Sequence, residues 1–137
     1  MKIVENGVER ELTPTEELEF AESTAKPLTI SKLEKHTQIE RERDAECYAD
    51  VVALGAPWQA DARSQQMLAS AILLAQAGVY TPSVWRNSNN ADIPVTLADL
   101  VVLAGTMAAQ TQAAYARSWT RKAALTAATT SEEVEAV

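Results

Sequence analysis

The side chains able to do chemistry in this chain are few and poorly matched to one another. The single histidine, His36, has Glu40 one helical turn away, and a metal site built on one imidazole would need carboxylates for every other ligand. The pair reads as a surface contact. Glu42, Glu46 and Asp50 recur every four residues, a carboxylate row on one helix face that could attract a divalent ion. No Asp-x-Asp-x-Asp-Gly loop accompanies it, so the row reads as a solvated face. Cys47 has Arg43 one turn away but no histidine beside it to act as a base, and reads as structural. As the one cysteine, it forms neither an internal disulfide nor a zinc site. The four glycines are never clustered, which excludes a Walker loop and a dinucleotide fingerprint. A nucleophile elbow with its base is likewise absent. These residues predict no catalytic centre, no bound metal and no cofactor.

The three tryptophans are more informative. Trp58 and Trp85 each sit in a short, turn-punctuated stretch, and Trp119 lies near the end of the last helical segment beside Arg117 and Arg121. Packing in a core or at its rim is the default for an indole. A protein-contact role comes next, because tryptophan is enriched at the energetic centres of interfaces. The candidate partner-contact residues are Trp58, Trp85, Arg86, Tyr48 and Trp119.

The elements that would carry these residues repeat one plan twice between Val51 and Leu103. In the first copy, Val51-Val-Ala-Leu precedes Gly55 and Pro57, breakers that predict a tight ribbon. Asp61 caps the following helix, Leu68, Ala71, Ile72 and Ala75 fall on one face, and Gly78 ends it. Met67 and Leu74 widen that face, so the pattern predicts the best-buried helix of the protein. In the second copy, Ser83 to Val95 forms a ribbon turning at Asn87-Ser-Asn-Asn, where asparagine tolerates left-handed backbone. Pro94 places the return strand at an edge or an end. Thr96-x-x-Asp99 then caps a long helix reaching about Ala127, lined by Leu97, Leu100, Val101, Ala104, Ala108, Thr111, Tyr115, Ser118 and Leu125. Arg117, Arg121 and Lys122 lie toward its C-terminal end, where cations favour the helix dipole.

A charged helix precedes this pair of units. Ser31-x-x-Glu34 reads as a capping box opening it at about Lys32, and it runs to about Asp50. Its apolar positions (Leu33, Ile39, Ala45, Tyr48) are sparse, a profile that suits an exposed arm or a coiled-coil-like contact. Before it, Asn6-Gly7 suits a type I′ hairpin turn and Thr13-Pro-Thr-Glu16 reads as a capped helix start, with Leu18 and Phe20 adding a little apolar surface. That arm is either a docked element or a mobile segment with one nascent helix. The organisation predicted is an N-terminal arm with a short helix over 1–28, an α+β domain over 29–128, and a disordered acidic tail over 129–137. The fold class is α+β and mainly helical, with two short β-hairpins each followed by a helix.

Composition narrows the partners. At 137 residues the chain fits one domain, and its 47% hydrophobic content supports a core. Much of that content is alanine, which buries little area, so part of the stability is expected from self-association or a partner. A net charge of −7 argues against a nucleic-acid backbone or an anionic membrane as ligand. No secretory pattern opens the sequence, and the longest apolar run, Met67 to Tyr80, is too short for a bilayer. The expectation is a soluble protein, intracellular when made, and a possible homo-oligomer.

The block Gly55-Ala-Pro-Trp-Gln-Ala-Asp-Ala-Arg-Ser-Gln-Gln-Met-Leu-Ala-Ser-Ala, followed by Val84-Trp-Arg-Asn-Ser-Asn-Asn-Ala-Asp-Ile-Pro-Val-Thr-Leu-Ala-Asp-Leu, resembles a domain of tailed-phage and prophage proteins that includes tail fibre assembly proteins. The likeness covers about Leu33 to Leu125. Asn6 to Thr13 also resembles the start of small phage proteins encoded beside fibre genes. Trp58, Asp61, Arg63, Ser64, Trp85, Arg86, Asn90 and Asp92 match the pattern and read first as fold-making. The resemblance implies a chaperone-like factor, without enzymatic activity, that binds a phage tail fibre protein at its C-terminal tip. It would act in the host cytoplasm during virion assembly. The alternative is a structural part of the tail, fibre or baseplate retained in the virion. A third class, an enzyme acting on cell-surface glycan, would require an acidic pair in a cleft.

Overall fold

The computed structural model describes residues 2–17 and 26–137. Among these residues the fold is α+β and mainly helical, with three separate two-stranded antiparallel ribbons. In chain order the elements are β1 (Lys2–Glu5), β2 (Val8–Glu11), α1 (Leu28–Cys47), β3 (Val51–Ala53), β4 (Ala56–Trp58), α2 (Ala62–Gln76), β5 (Val84–Arg86), β6 (Asp92–Pro94), α3 (Leu97–Ala127) and α4 (Ser131–Glu135).

Local signals fix most of these boundaries. Asn6 and Gly7 adopt φ of 52° and 79°, turning β1 into β2 with Glu5 opposite Val8. The Thr13–Glu16 capping box closes: the Thr13 amide donates to Glu16 Oε2 at 2.9 Å and the Glu16 amide to Thr13 Oγ1 at 3.2 Å. Arg10 reaches the same carboxylate through both terminal nitrogens, at 2.9 and 2.7 Å. That fork holds Glu16 down at about 2, with the Thr13 amide adding to the effect. Leu18 and Phe20 lie outside the described residues.

Asp61 accepts from the Ser64 amide at 2.9 Å to start α2. Gly78, at φ 77°, ends that helix while the Val79 amide closes back onto the Leu74 carbonyl at 3.1 Å. Thr96 and Asp99 form the reciprocal box that starts α3. The charged helix begins earlier than Ser31 suggests. Pro27 sits at the N-cap of α1, Ser31 lies one turn inside, and the helix stops at Cys47 rather than at Asp50. Proline with its fixed φ opens a helix without needing a side-chain cap.

The long helix α3 is the central element. Leu100, Met107 and Ala114 are buried on it at seven-residue intervals, with Leu103, Ser118 and Leu125 beside them. That period, 3.5 residues per turn, is that of a helix packed lengthwise against another. The partner is α1, which lies antiparallel: Ala49 accepts from Gln110 while Glu40 meets Lys122. Small residues at Ala114 and Ser118 sit in the middle of this seam, and the Ser118 hydroxyl is satisfied by the Tyr115 carbonyl at 2.7 Å.

Two apolar clusters flank the seam. The larger joins Val51, Trp58, Ala60, Leu68 and Val95 to Leu100, Leu103 and Met107, so both central ribbons and α2 meet one end of α3. The smaller joins Ile39, Leu125, Ala128 and Val134 at the other end.

That second cluster overturns the expectation of a disordered tail. Thr130 caps α4, whose Val134 is 3% exposed, and Lys35 donates to the Glu135 carbonyl at 3.3 Å. The three glutamates made the tail look solvated, but they occupy the outer positions while one valine docks. The expectation for α2 also fails. Leu68 is its one buried residue, and Met67, Leu73 and Leu74 are 54%, 66% and 47% exposed. Among the described helices the best buried is α3, which has apolar neighbours toward both of its ends.

Candidate protein-recognition surface

The surface of interest is a groove between α2 and the second ribbon. Its floor is built locally. In β3–β4 the two-residue turn Leu54-Gly55, with φ of 54° and 71°, lays Trp58 opposite Val51. The Trp58 indole turns into the core and donates to the Ala53 carbonyl at 2.7 Å. The second ribbon then leans on the first through the Ser88 amide, which donates to the Pro57 carbonyl at 3.0 Å.

Asn87 makes that turn rigid. Its side chain is 6% exposed, and its Oδ1 accepts from the amides of Asn89 and Ala91 at 2.9 and 3.0 Å. Asn90 takes the left-handed conformation at φ 57°. From this anchored turn, β5 and β6 hold Trp85 opposite Ile93 and Arg86 opposite Asp92. Gln65 ties α2 to the same frame by donating to the carbonyls of Ala60 and Cys47 at 2.7 and 3.2 Å.

The groove has two halves that share Met67 and Trp85. The first, about 430 Å³, is apolar and lined by Met67, Ala71, Leu74, Tyr80 and Trp85, with Gln66 and Ser70 at its rim. The second, about 400 Å³, runs over the ribbon and mixes the Trp85 ring with Gln59, Ser64, Arg86, Asn90 and Asp92. Arg86 Nε donates to Asp92 Oδ1 at 3.0 Å across the ribbon. This ion pair holds Asp92 below the usual carboxylate range and Arg86 above its own. An indole with a fixed guanidinium at one end and an apolar trough at the other fits an amphipathic chain segment.

Of the residues expected to contact a partner, Trp85 and Arg86 are on this surface. Trp58 lines the floor but is 1% exposed, so its indole is a core piece and not a direct contact. Its ring is spent on the Ala53 bond and on the cluster with Leu103 and Met107. Tyr48 and Trp119 are about half exposed and line neither half of the groove. Trp119 stacks edge-on against Tyr115, at 6.0 Å between ring centres, and Arg43 covers the Tyr115 ring at 4.7 Å.

Met67, Leu74 and Tyr80 were missed as surface residues, although one signal was legible: no charged side chain occurs between Arg63 and Arg86. An amphipathic helix with a solvated outer face carries charges there, and α2 has none beyond Arg63.

The carboxylate row resolves differently from a cation site. Glu42 and Glu46 pair with Arg121 and Arg117 on α3, and Glu40 pairs with Lys122 at 2.9 Å. The basic residues near the end of α3 thus serve the helix seam. His36 lies 3.8 Å from Glu40 at the surface. Cys47 is buried and unbridged. Among the described residues no cluster of three His, Cys, Asp or Glu is placed to hold a metal ion, and no helix is long and apolar enough to cross a membrane.

An α+β domain of small ribbons set on a helical hairpin, with a groove on one flank that is apolar at one end and carries the Arg86–Asp92 pair at the other, is thus the class of protein defined by fold and surface. Residues 31–137 match the family model described as a domain of unknown function (DUF4376), and the chain belongs to that family. The match runs through α4 to the last residue, so the docked tail belongs to the matched region. No curated protein and no solved structure matches the chain.

Proposed function

We propose that this chain is a chaperone-like assembly factor that binds a phage tail fibre protein, at its C-terminal tip, and makes or breaks no covalent bond. The observation that carries the reading is the half-buried Trp85 ring beside the exposed Arg86–Asp92 pair, at the polar end of an apolar trough. The likeness of the Gly55–Ala71 and Val84–Leu100 blocks to phage fibre assembly proteins supports it. So does the charge of −7, which keeps a carrier of aggregation-prone chains dispersed.

The test is capture of the C-terminal segment of the fibre protein encoded beside this chain, by wild type and by Trp85→Ala and Arg86→Glu. Loss of a central indole at an interface costs about 2 kcal/mol or more, roughly thirtyfold in affinity. Unchanged capture by both variants would refute the reading. Soluble trimeric fibre obtained only on co-expression supports an assembly factor. Abundance of the chain in purified virions would favour the alternative, a structural part of the tail.

A further inference from the structure

We infer that the outer edge of β5 is a strand-addition site, where an extended segment of the fibre protein pairs with the backbone of Val84 and Arg86. The inference rests on the fibre reading above and specifies how that surface holds its partner.

The pairing of the ribbon fixes which backbone groups are free. Antiparallel partners alternate between pairs that exchange both hydrogen bonds and pairs whose N–H and C=O point away. The Val95 amide donates to the Ser83 carbonyl at 3.0 Å, and the Asn87 amide donates to the Ala91 carbonyl at 2.9 Å. Ser83 and Asn87 are therefore inward positions, and so is Trp85 between them, opposite Ile93. Val84 and Arg86 are the outward ones. Their N–H and C=O groups meet no partner among the described residues.

The two edges of the ribbon differ. On β6 the outward position opposite Val84 is Pro94, which has no N–H to give. Proline blunts that edge against a further strand. On β5 the outward row continues to Ser88, whose amide donates to the Pro57 carbonyl at 3.0 Å. One rung of this edge is thus filled from within the protein, and the rungs at Arg86 and Val84 stand open.

The open rungs face the groove. Val84, Trp85 and Arg86 all line its ribbon half of about 400 Å³, together with Gln59, Ser64 and Met67. Successive side chains of a strand point to opposite faces, so a cavity lined by all three lies along the edge of the strand. A strand added there repeats the alternation. Its residue on the Trp85 face enters the apolar trough of Met67, Leu74 and Tyr80. The residues on either side of it lie on the face of Val84 and Arg86, which is exposed. The recognition element is an extended segment with a large apolar residue between polar ones.

Val84→Pro removes one outward N–H and leaves the ribbon its own bonds, as Pro94 does directly across from it. Val84→Ala trims the side chain and keeps the N–H. With the fold of both checked by circular dichroism, Val84→Pro should capture the C-terminal fibre segment about tenfold more weakly than Val84→Ala. Amide hydrogen exchange on the wild-type complex is a second measurement that needs no variant. The Val84 and Arg86 amides should slow about tenfold or more on binding, while Trp85, an inward position, changes less. Equal capture by the two variants would overturn the inference, as would Val84 and Arg86 amides that exchange in the complex as fast as in the free chain. With either result, capture that Trp85→Ala abolishes would leave the fibre reading standing. If wild type captures no fibre segment, both fall.

Discussion

The indole Nε1 of Trp58 and the carbonyl oxygen of Ala53 meet at 2.7 Å across the β3–β4 ribbon. One bond thereby closes the ribbon and satisfies the polar atom of the largest buried side chain. The ring beneath it joins the cluster formed with Leu68, Leu100 and Leu103. Trp58→Phe should cost about 1–2 kcal/mol, since the Ala53 carbonyl loses its donor and some ring volume goes with it. Trp58→Ala should cost about 3–5 kcal/mol by leaving a cavity. Urea denaturation monitored by circular dichroism measures both. Equal, small losses in the two variants would show that the ring is not a core residue.

The turn of the same ribbon stores strain. Leu54 takes φ of 54° at the first turn position, where a side chain with a Cβ is disfavoured. It is 41% exposed, so little burial is lost on exchange. Asparagine tolerates this conformation and Asn-Gly is the preferred pair for such a turn. Leu54→Asn is therefore expected to stabilise by about 0.5–1 kcal/mol, read as a rise in the thermal midpoint. A midpoint that falls would mean that the Leu54 side chain contributes more than the backbone costs.

The ion pairs between α1 and α3 predict an acid limb. The Lys122 ammonium holds Glu40 below the usual carboxylate range, and Gln38 followed by Arg121 does the same for Glu42. A carboxylate depressed in the folded state contributes stability above its unfolded pKa and loses that contribution as pH falls through the folded one. The thermal midpoint should thus hold from neutral pH to about 5 and decline below about 4.3, the ordinary glutamate value. Glu40→Gln with Glu42→Gln should lower the midpoint at neutral pH and shrink the acid decline. The effect should be modest, because these pairs face solvent, and should weaken in high salt. An acid decline of undiminished size in the double variant would place its origin elsewhere.

The docked C-terminal turn offers a further check. Val134 seats against Ile39, Leu125 and Ala128. Val134→Ala removes about two methylene equivalents from the core, roughly 1–2 kcal/mol locally. Glu132, Glu133 and Glu135 then become substrates for a glutamate-specific protease faster than in wild type, while the thermal midpoint of the helical hairpin changes less. Identical cleavage rates would argue that α4 does not rest on this valine.

What the sequence determined on its own is the set of features settled within a few residues. Asn6-Gly7, the Thr13–Glu16 and Thr96–Asp99 boxes, the Asp61 cap, the Gly78 stop and the asparagine turn are each made by groups close along the chain. Their geometry follows from backbone sterics and short hydrogen bonds, whatever the rest of the molecule does. The α+β class and the ribbon–helix repeat followed from these signals.

Tertiary structure decided which apolar stripes are covered and by what. The pattern of α2 resembles that of a buried helix, yet Leu68 alone is enclosed, because no element lies over Met67 and Leu74. Arg117, Arg121 and Lys122 find their partners at Glu46, Glu42 and Glu40, more than seventy positions away. The acidic tail docks through one valine. Trp58 and Trp85, alike in their local setting, part company, one into the core and one onto the groove. A one-dimensional pattern gives the direction in which a side chain points, and burial depends on what the folded chain brings to meet it.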